Sequence, residues 1–307
     1  MKFGKIDVKE EPNRLNEISW KLPQASVEWN ANLENSGIEK RAPNTQPLVR
    51  TGGTMWTVRS WRGKVYPQKD PMRTWAKHYG RQFSSLEFNA THYRIYPPEK
   101  MSLWAKEMPE DFVFCPKFPA LISHYRRFNN CEGPTDDFIS GLVALGDKLG
   151  PTFLQLPPHF APKHSSKLIP YLNNWPRDLK MAIEFRHADW FAGGREAELV
   201  WKLMAQLGIG AVISDTAGRR DALHMRFTAP FLIVRFGGYD GHVSDEKRLR
   251  LWAEKINDFN KDGVYLESFD FLVHTTDSIH TPESCILFAN IIKEVCGIDV
   301  KVPALIS

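Results

Sequence analysis

Short apolar runs rich in β-branched and aromatic residues recur from residue 48 onward, separated by longer segments whose apolar residues have helical spacing. The runs predict eight strands, at residues 48–54, 85–91, 112–117, 152–156, 180–186, 209–215, 231–237 and 269–275. A strand followed by a helix, repeated in this way, predicts an α/β fold, a single TIM-type (β/α)8 barrel with a short N-terminal extension. An open, doubly wound sheet has the same local pattern and stays the alternative.

Several of the segments between the strands carry helix signals. Asp70 and Pro71 predict an N-cap and a first-turn proline. Gly208 predicts the C-cap of a later helix, and Pro282 predicts the first turn of the last one. The segment 216–230 is too irregular to predict a helix.

Residues 1–47 differ from the rest of the chain. They are polar and proline-rich, with isolated large apolar residues such as Trp20 and Trp29. This composition predicts an N-terminal arm, residues 1–47, that wraps a barrel domain formed by residues 48–307. A chain of 307 residues is long enough for one barrel of this kind.

Composition narrows the class of protein. An apolar fraction of 42% and a charged fraction of 25% are ordinary for globular chains and argue against disorder. The absence of a long apolar run and the charged N-terminus predict a cytoplasmic protein with no membrane partner. The four cysteines have no CxxC or metal-site spacing, so we expect reduced thiols. A net charge of +4 gives little support to a nucleic-acid partner and permits a small anionic ligand.

Polar residues close most of the predicted strands. Strands of a parallel barrel are buried on both faces, so charged residues within them need a specific reason. Because barrel enzymes carry their sites at the C-terminal ends of the strands, these residues predict a polar funnel at that mouth. Its predicted members are Glu87, Lys117, Gln155, Glu184, Arg186, Asp215 and Arg235, with His92, Arg94, His187, His274 and Asp277 on the loops beyond.

Each of these residues also has a structural interpretation. Charges of opposite sign in one narrow space can satisfy one another as ion pairs without doing chemistry. Aromatic residues near the mouth, such as Trp56, Tyr93 and Trp190, can stack on a planar ligand or pack the loops.

Ordered blocks of residues carry a resemblance to a known family. The first block contains Gly52, Trp56, Trp61, Gly63, Tyr66 and Pro67; the second contains Phe83, Glu87, Asn89, Thr91, Tyr93 and Arg94. Later blocks lie in residues 112–117, 149–160, 184–191 and 234–238. By these blocks the chain resembles the YecE-like family, domain of unknown function 72, whose members are TIM-type barrels. The resemblance implies the fold and the place of the site, and it implies no particular reaction.

The chain departs from the family pattern at several positions. Thr54-Met55 stand where the family has Ser-Gly, Val58 where it has Tyr, and Gly237 where it has His. Residues 275–277 replace an Asn-Asn-Asp run. These departures predict an altered mouth near the last two strands, as in a divergent or inactive member.

The preferred interpretation is an enzyme acting on a small anionic metabolite, such as a phosphorylated or acidic sugar-like compound. Glu184 is the first choice for the acid/base residue, with Asp215 and Glu87 as further catalytic candidates. Lys117 is predicted as an electrophilic or anion-binding catalytic group. The predicted ligand contacts are Asn89, Tyr93, Arg94, Gln155, Arg186, His187, Trp190, Arg235, Trp56 and Asp277.

Three alternatives stay open. A divalent metal could bridge Glu87, Glu184, Asp215 and His187 or His274, but there is no HxH or HExxH spacing, so no metal site or cofactor is predicted. A glycosidase needs two facing carboxylates, whereas strands four and seven end in Gln155 and Arg235. A non-catalytic binding protein, for a small ligand or a single-stranded nucleic acid, would use the same aromatic and basic residues.

Overall fold

A computed structural model describes residues 6–7, 11, 13–29, 46–259, 262 and 264–306, and it describes the backbone alone at Asp277. The strands are β1 (Ser26–Val27), β2 (Leu48–Gly52), β3 (Ser85–Phe88), β4 (Val113–Pro116), β5 (Thr152–Gln155), β6 (Met181–Glu184), β7 (Gly210–Asp215), β8 (Arg226–Phe227), β9 (Phe231–Gly237) and β10 (Ser268–His274). The α-helices are α1 (Trp75–Gln82), α2 (Ala90–Tyr93), α3 (Pro98–Glu107), α4 (Glu132–Val143), α5 (Ser165–Asn174), α6 (Arg195–Leu207), α7 (Val243–Asp258) and α8 (Thr281–Cys296).

The strands form a mixed α/β fold around a parallel sheet. Six strands pair in the order β2-β10-β9-β7-β6-β5, and β3 pairs in parallel with β4. Further backbone hydrogen bonds join β2 to the β3 segment and the β4 segment to the β5 segment. Between β2 and the β3 segment, the Ser84 N–H donates to the Thr51 carbonyl at 3.2 Å and the Glu87 N–H donates to the Gly53 carbonyl at 3.0 Å. Between the β4 and β5 segments, the Gly150 N–H donates to the Phe114 carbonyl at 2.8 Å and the Phe118 N–H donates to the Phe153 carbonyl at 3.0 Å.

Each of the eight predicted strands overlaps an observed strand. The sequence did not predict β1 and β8, which pair with each other in parallel. The strand β1 lies inside the predicted arm, and β8 lies inside the irregular segment 216–230, which also holds the 3₁₀ helix Ala217–Ala222. Part of the N-terminal segment is therefore tied to the loop after β7 by backbone pairing.

The predicted helix signals have mixed outcomes. Gly208 ends α6 in the left-handed conformation at φ 65°, and Pro282 lies in the first turn of α8. Asp70 was wrongly predicted as an N-cap, because a 3₁₀ turn at Met72–Thr74 precedes α1. The Asp70 carboxylate lies 2.6 Å from Nε2 of His78 instead. None of the described helices is long and apolar enough to span a membrane.

One face of the strands packs into a buried group that we call the inner cluster. Its members are Cys115, Phe153, Ala182, Val212, Ala229, Phe231, Ile233 and Leu272. The opposite faces of the strands pack with the helices into two larger apolar cores. Because side chains alternate along a strand, residues two positions after the inner cluster point to the same side, at the C-terminal ends. This geometry positions the candidate site.

Candidate functional site

A layer of polar side chains follows the inner cluster. We call it the mouth cluster: Glu87, Lys117, Gln155, Glu184, Ser214, Arg235 and His274. Six of them stand two residues after a member of the inner cluster, so strand alternation brings them to one side. Glu87 joins them because Ser85, two residues earlier, contacts the thiol of Cys115 at 3.5 Å.

Arg235 lies at the centre of this layer. Its Nε and Nη2 atoms each donate to one carboxylate oxygen of Glu87 at 2.8 Å. Its Nη1 atom donates to both oxygens of Glu184, at 2.9 and 3.0 Å. The arginine side chain is 3% exposed and both glutamates are fully buried. One guanidinium therefore holds two buried carboxylates in fixed positions.

Glu184 accepts three further hydrogen bonds. The Nε of Arg186 donates to it at 3.0 Å, the Ser214 hydroxyl donates at 2.6 Å, and the Gln155 amide donates to the other oxygen. Burial alone would raise the pKa of Glu184, but Arg186 and Arg235 hold this pKa well below its usual range. The geometry therefore gives Glu184 a positioning role and disfavours the acid/base role predicted for it.

Glu87 is held in a similar way by its neighbours. Asn89 donates its amide to one carboxylate oxygen at 2.9 Å, and Nε2 of His274 lies 2.6 Å from the other. Burial opposes ionisation of Glu87, yet Arg235 and His274 keep its pKa well below the ordinary value. Burial also lowers the pKa of His274. Nη2 of Arg235, which can only donate, lies 3.2 Å from the same Nε2 atom, so this nitrogen contacts a hydrogen-bond donor and an acceptor.

Lys117 differs from the other charged residues of the mouth cluster. Its side chain is buried, with 4% of the residue exposed, and within the described part of the chain its ammonium has no carboxylate or hydrogen-bond partner. The Nζ atom lies 5.7 Å from the ring centre of Phe153, and Arg235 Cζ lies 5.4 Å from the same centre. Burial first, and then the charge of Arg235, lower the pKa of Lys117 to about 8.

Two histidines lie on the Lys117 side of the mouth. The rings of His92 and His124 are 5.1 Å apart, and Nδ1 of His92 bonds the Phe118 carbonyl at 2.7 Å. Burial and then the Lys117 charge lower the pKa of His92 to about 4. For His124, burial, His92 and Lys117 lower the pKa to about 4. Both imidazoles are therefore neutral at pH 7.

The structure places Asp215 outside the mouth, contrary to the sequence prediction. Val212 belongs to the inner cluster, so Ser214 shares its face and Asp215 points the other way. The Asp215 carboxylate accepts a hydrogen bond from Nε1 of Trp252 at 2.8 Å and lies 3.0 Å from Nη2 of Arg248. Asp215 therefore fastens β7 to α7 and does not meet Glu184.

This placement predicts the effect of Asp215→Asn. The asparagine keeps an acceptor for Trp252 but loses the ion pairs with Arg220 and with buried Arg248, so the free energy of unfolding should fall by about 2–3 kcal/mol. Ligand binding at the mouth should be unchanged. Chemical denaturation measures the first quantity, and a titration of the folded variant with any anion that binds the native protein measures the second. If the folded variant lost anion binding, this result would contradict the placement of Asp215 outside the mouth.

Two tryptophans predicted as ligand contacts pack in or against the apolar cores. Trp190 is fully buried and donates its indole N–H to the Phe160 carbonyl at 2.7 Å. Trp56 stacks on Phe88 with ring centres 5.3 Å apart. Trp190 is thus a core residue, whereas Trp56 is only partly buried where it packs against the core, and its ligand contact stays a prediction.

Three further predicted ligand contacts, Tyr93, Arg94 and His187, lie outside the mouth cluster. Tyr93 is 85% exposed, and Arg94 extends over the ring of Tyr96 at 5.5 Å. His187 caps a 3₁₀ turn by accepting the backbone N–H of Asp189 at 3.2 Å. The side chain predicted at Asp277 lies outside the described residues.

The carboxylates do not assemble into the metal site considered from the sequence. Among the residues that the structure describes, no three His, Cys, Asp or Glu side chains are grouped to hold a metal ion. The oxygens of Glu87 and Glu184 face the guanidinium of Arg235.

Sequence reasoning missed Ser214 and His124. The two faces of β7 are almost equally apolar, so alternation alone gave no reason to choose Ser214 over Asp215. His124 lies in the π-helix Leu121–Tyr125, and π-helical turns often mark functional sites. No local pattern in the sequence revealed that turn.

Comparison with known proteins identifies the family. Residues 50–304 match the family described as "Protein of unknown function DUF72". The chain belongs to this family. It is 30% identical over 226 residues to the UPF0759 protein YecE of Escherichia coli K12. The match covers 67% of this chain and 81% of YecE. It is 29% identical over 135 residues to the UPF0759 protein YunF of Bacillus subtilis, 42% of this chain and 48% of YunF.

Solved structures of DUF72 proteins share the fold. A DUF72 protein from Enterococcus faecalis superposes with a TM-score of 0.63 at 17% identity, covering 83% of this chain and 99% of that chain. A DUF72 protein from Thermotoga maritima gives a TM-score of 0.59 at 20% identity, covering 80% and 98%. The family resemblance inferred from the ordered blocks is confirmed, together with a mixed α/β fold.

Proposed function

We propose that this DUF72 protein is an enzyme that binds and transforms a small anionic metabolite at the mouth cluster of a closed TIM-type (β/α)8 barrel. The observation that carries the proposal is the ammonium of Lys117, which ends a side chain on a residue that is only 4% exposed, without its Nζ atom being fully enclosed. It stands without a carboxylate partner among the described residues, although two carboxylates lie in the same layer. A buried charge of this kind is costly, so its retention favours a function over a structural role.

Closure of the barrel is supported by two observations. Backbone hydrogen bonds join both edge strands of the six-stranded sheet to the β3-β4 pair: β2 to the β3 segment, and β5 to the β4 segment. The inner cluster also brings Cys115 of β4, which pairs only with β3 in the assigned sheets, into one group with Leu272 of β10 in the six-stranded sheet. A sheet closed on itself accounts for both.

The charges of the mouth favour an anion. Glu87 and Glu184 supply two negative charges, whereas Arg186, Arg235 and Lys117 supply three positive charges when the lysine is protonated. Of these three cations, Lys117 is the one that forms no ion pair with a described carboxylate. A carboxylate or phosphate group would offset the cost of burying the Lys117 ammonium.

The site divides its chemical roles differently from the sequence interpretation. Glu184 and Glu87 are ionised hydrogen-bond acceptors that fix Arg235 and Arg186, so they position the other groups. Lys117 can carry or release a proton near neutral pH because its pKa is about 8. We assign Lys117 the catalytic role and propose no cofactor.

Thermal unfolding with inorganic phosphate as the probe tests the anion site. We expect phosphate to raise the melting temperature, with a stabilisation of about 2.7 kcal/mol at concentrations near 100 times Kd. Lys117→Met should abolish the response. The matched control is Lys69→Met, because Lys69 is exposed and should respond like the native protein. An equal response of Lys117→Met would place the phosphate elsewhere and contradict the proposal.

A further inference from the structure

We propose that the anionic ligand carries an aldehyde or ketone, and that the Lys117 amine condenses with this carbonyl group to form an imine. The inference deepens the proposed function and rests on it, because it concerns the same mouth cluster. It adds the class of substrate and a covalent step.

The surroundings of Lys117 match those of an activated amine. Lysines become nucleophilic when they are desolvated or lie beside another cation, because both conditions favour the neutral form. Lys117 meets both conditions: it is 4% exposed, and both its Nζ atom and the guanidinium of Arg235 lie over the ring of Phe153. Its backbone is fixed, since the Lys117 N–H donates to the Phe88 carbonyl at 3.3 Å and the Thr91 hydroxyl lies 2.7 Å from the carbonyl oxygens of both Phe88 and Lys117.

Charged and titratable groups surround the amine on several elements. Those that face it are Arg235 on β9, Glu87 on β3, Glu184 on β6, Arg186 after β6, His92 on α2, His124 in the π-helix and His274 on β10. The two glutamates favour the ammonium, but burial and Arg235 outweigh them. With a pKa of about 8, roughly a tenth of the Lys117 amine is neutral at pH 7, against less than about a thousandth of an ordinary lysine.

The contacts of the two carboxylates leave Lys117 available. Arg235 binds both oxygens of Glu87 and both oxygens of Glu184, and the shared guanidinium keeps them from pairing with the lysine. A lysine bound to a carboxylate would stay protonated and unreactive. The arginine thus both satisfies the acids and lowers the pKa of the neighbouring amine.

The proposed step conserves atoms and charge. The neutral amine nitrogen attacks the carbonyl carbon, and a proton moves from nitrogen to the carbonyl oxygen to give a carbinolamine. Protonation of the hydroxyl then allows water to leave, and a protonated imine remains. Solvent supplies this proton, and the departing water carries the carbonyl oxygen away. No oxidant or reductant is needed.

Reductive trapping with glyoxylate, a small anionic aldehyde, tests the step. The full-length protein is incubated with glyoxylate and sodium cyanoborohydride, which delivers hydride to the imine and leaves a carboxymethyl group on the lysine. Peptide mass spectrometry then gives the labelling rate at each lysine. We expect Lys117 to be labelled at least about tenfold faster than exposed Lys69 at pH 7, with a rate that rises through a midpoint near pH 8.

Lys117→Arg separates the imine from the anion site. Arginine keeps the positive charge and forms no imine, so this variant should still be stabilised by phosphate while fast labelling disappears. Labelling of Lys117 no faster than Lys69, with phosphate still stabilising the native protein, would overturn the imine and leave the anion site standing. Failure of both labelling and phosphate stabilisation would overturn the proposed function as well.

Discussion

Replacing Arg235 with methionine should lower the free energy of unfolding by about 3–5 kcal/mol, because the change leaves Glu87 and Glu184 buried with their main cation removed. The guanidinium makes four short contacts to these two acids, and neither carboxylate reaches solvent. Urea denaturation of the native protein and the variant measures the difference. A loss much smaller than this would mean that the acids become protonated or solvated at little cost.

Two further substitutions test whether the loss of stability comes from the buried position of Arg235 and from the shape of its guanidinium. Arg250→Met is the matched control, since Arg250 pairs with Glu294 on the surface and its loss should leave the unfolding midpoint nearly unchanged. Arg235→Lys keeps the charge but lacks the planar fork that holds two carboxylates, so it should fall between the native protein and Arg235→Met. A lysine variant as stable as the native protein would show that charge alone is required.

Replacing Lys117 with methionine should have the opposite sign and raise the free energy of unfolding at pH 7 by about 2–3 kcal/mol. Burial and Arg235 lower the pKa of Lys117 to about 8, so folding disfavours its charged form. The cost is complete below the folded pKa of about 8 and disappears as the pH rises towards the unfolded value of about 10.4. Methionine has a similar length and no charge.

The pH dependence separates this cause from a general gain in packing. The advantage of Lys117→Met should shrink as the pH is raised from 7 to 10, because the native lysine loses its proton over that range. Lys69→Met should show no such gain, since Lys69 is exposed. Destabilisation by Lys117→Met at pH 7 would show that the ammonium has a stabilising partner. A gain in stability together with a loss of ligand binding is the trade-off expected of a functional residue.

The opposing signs expected for Arg235 and Lys117 reflect their surroundings. Both residues belong to the same layer, the mouth cluster, and both carry positive charge. Arg235 has two carboxylates against its guanidinium, whereas the Lys117 ammonium has none within bonding distance among the described residues. The same layer therefore contains a structural ion network and a lysine that lies outside this network.

Much of the mouth was predictable because its signal is local. A polar residue two positions after a buried apolar one marks the C-terminal end of an inward face, and this pattern selected Lys117, Gln155, Glu184 and Arg235. The same pattern selected Asp215 wrongly, because Ile213 is as apolar as Val212. Trp190 was misassigned for a related reason, since the sequence around it does not reveal the Phe160 carbonyl that its indole meets.

By itself, the sequence determined that this chain alternates strands and helices, that its strands end in charged residues, and that it belongs with the YecE-like proteins. These properties follow from spacing along the chain, and spacing is local. Only the tertiary structure decided which face of β7 turns inward and which carboxylates Arg235 binds. Glu87 lies 148 residues from Arg235 in sequence, and their pairing exists because distant strand ends meet at one mouth. The lowered pKa of Lys117 is a tertiary property for the same reason, because burial and the guanidinium of Arg235 cause it.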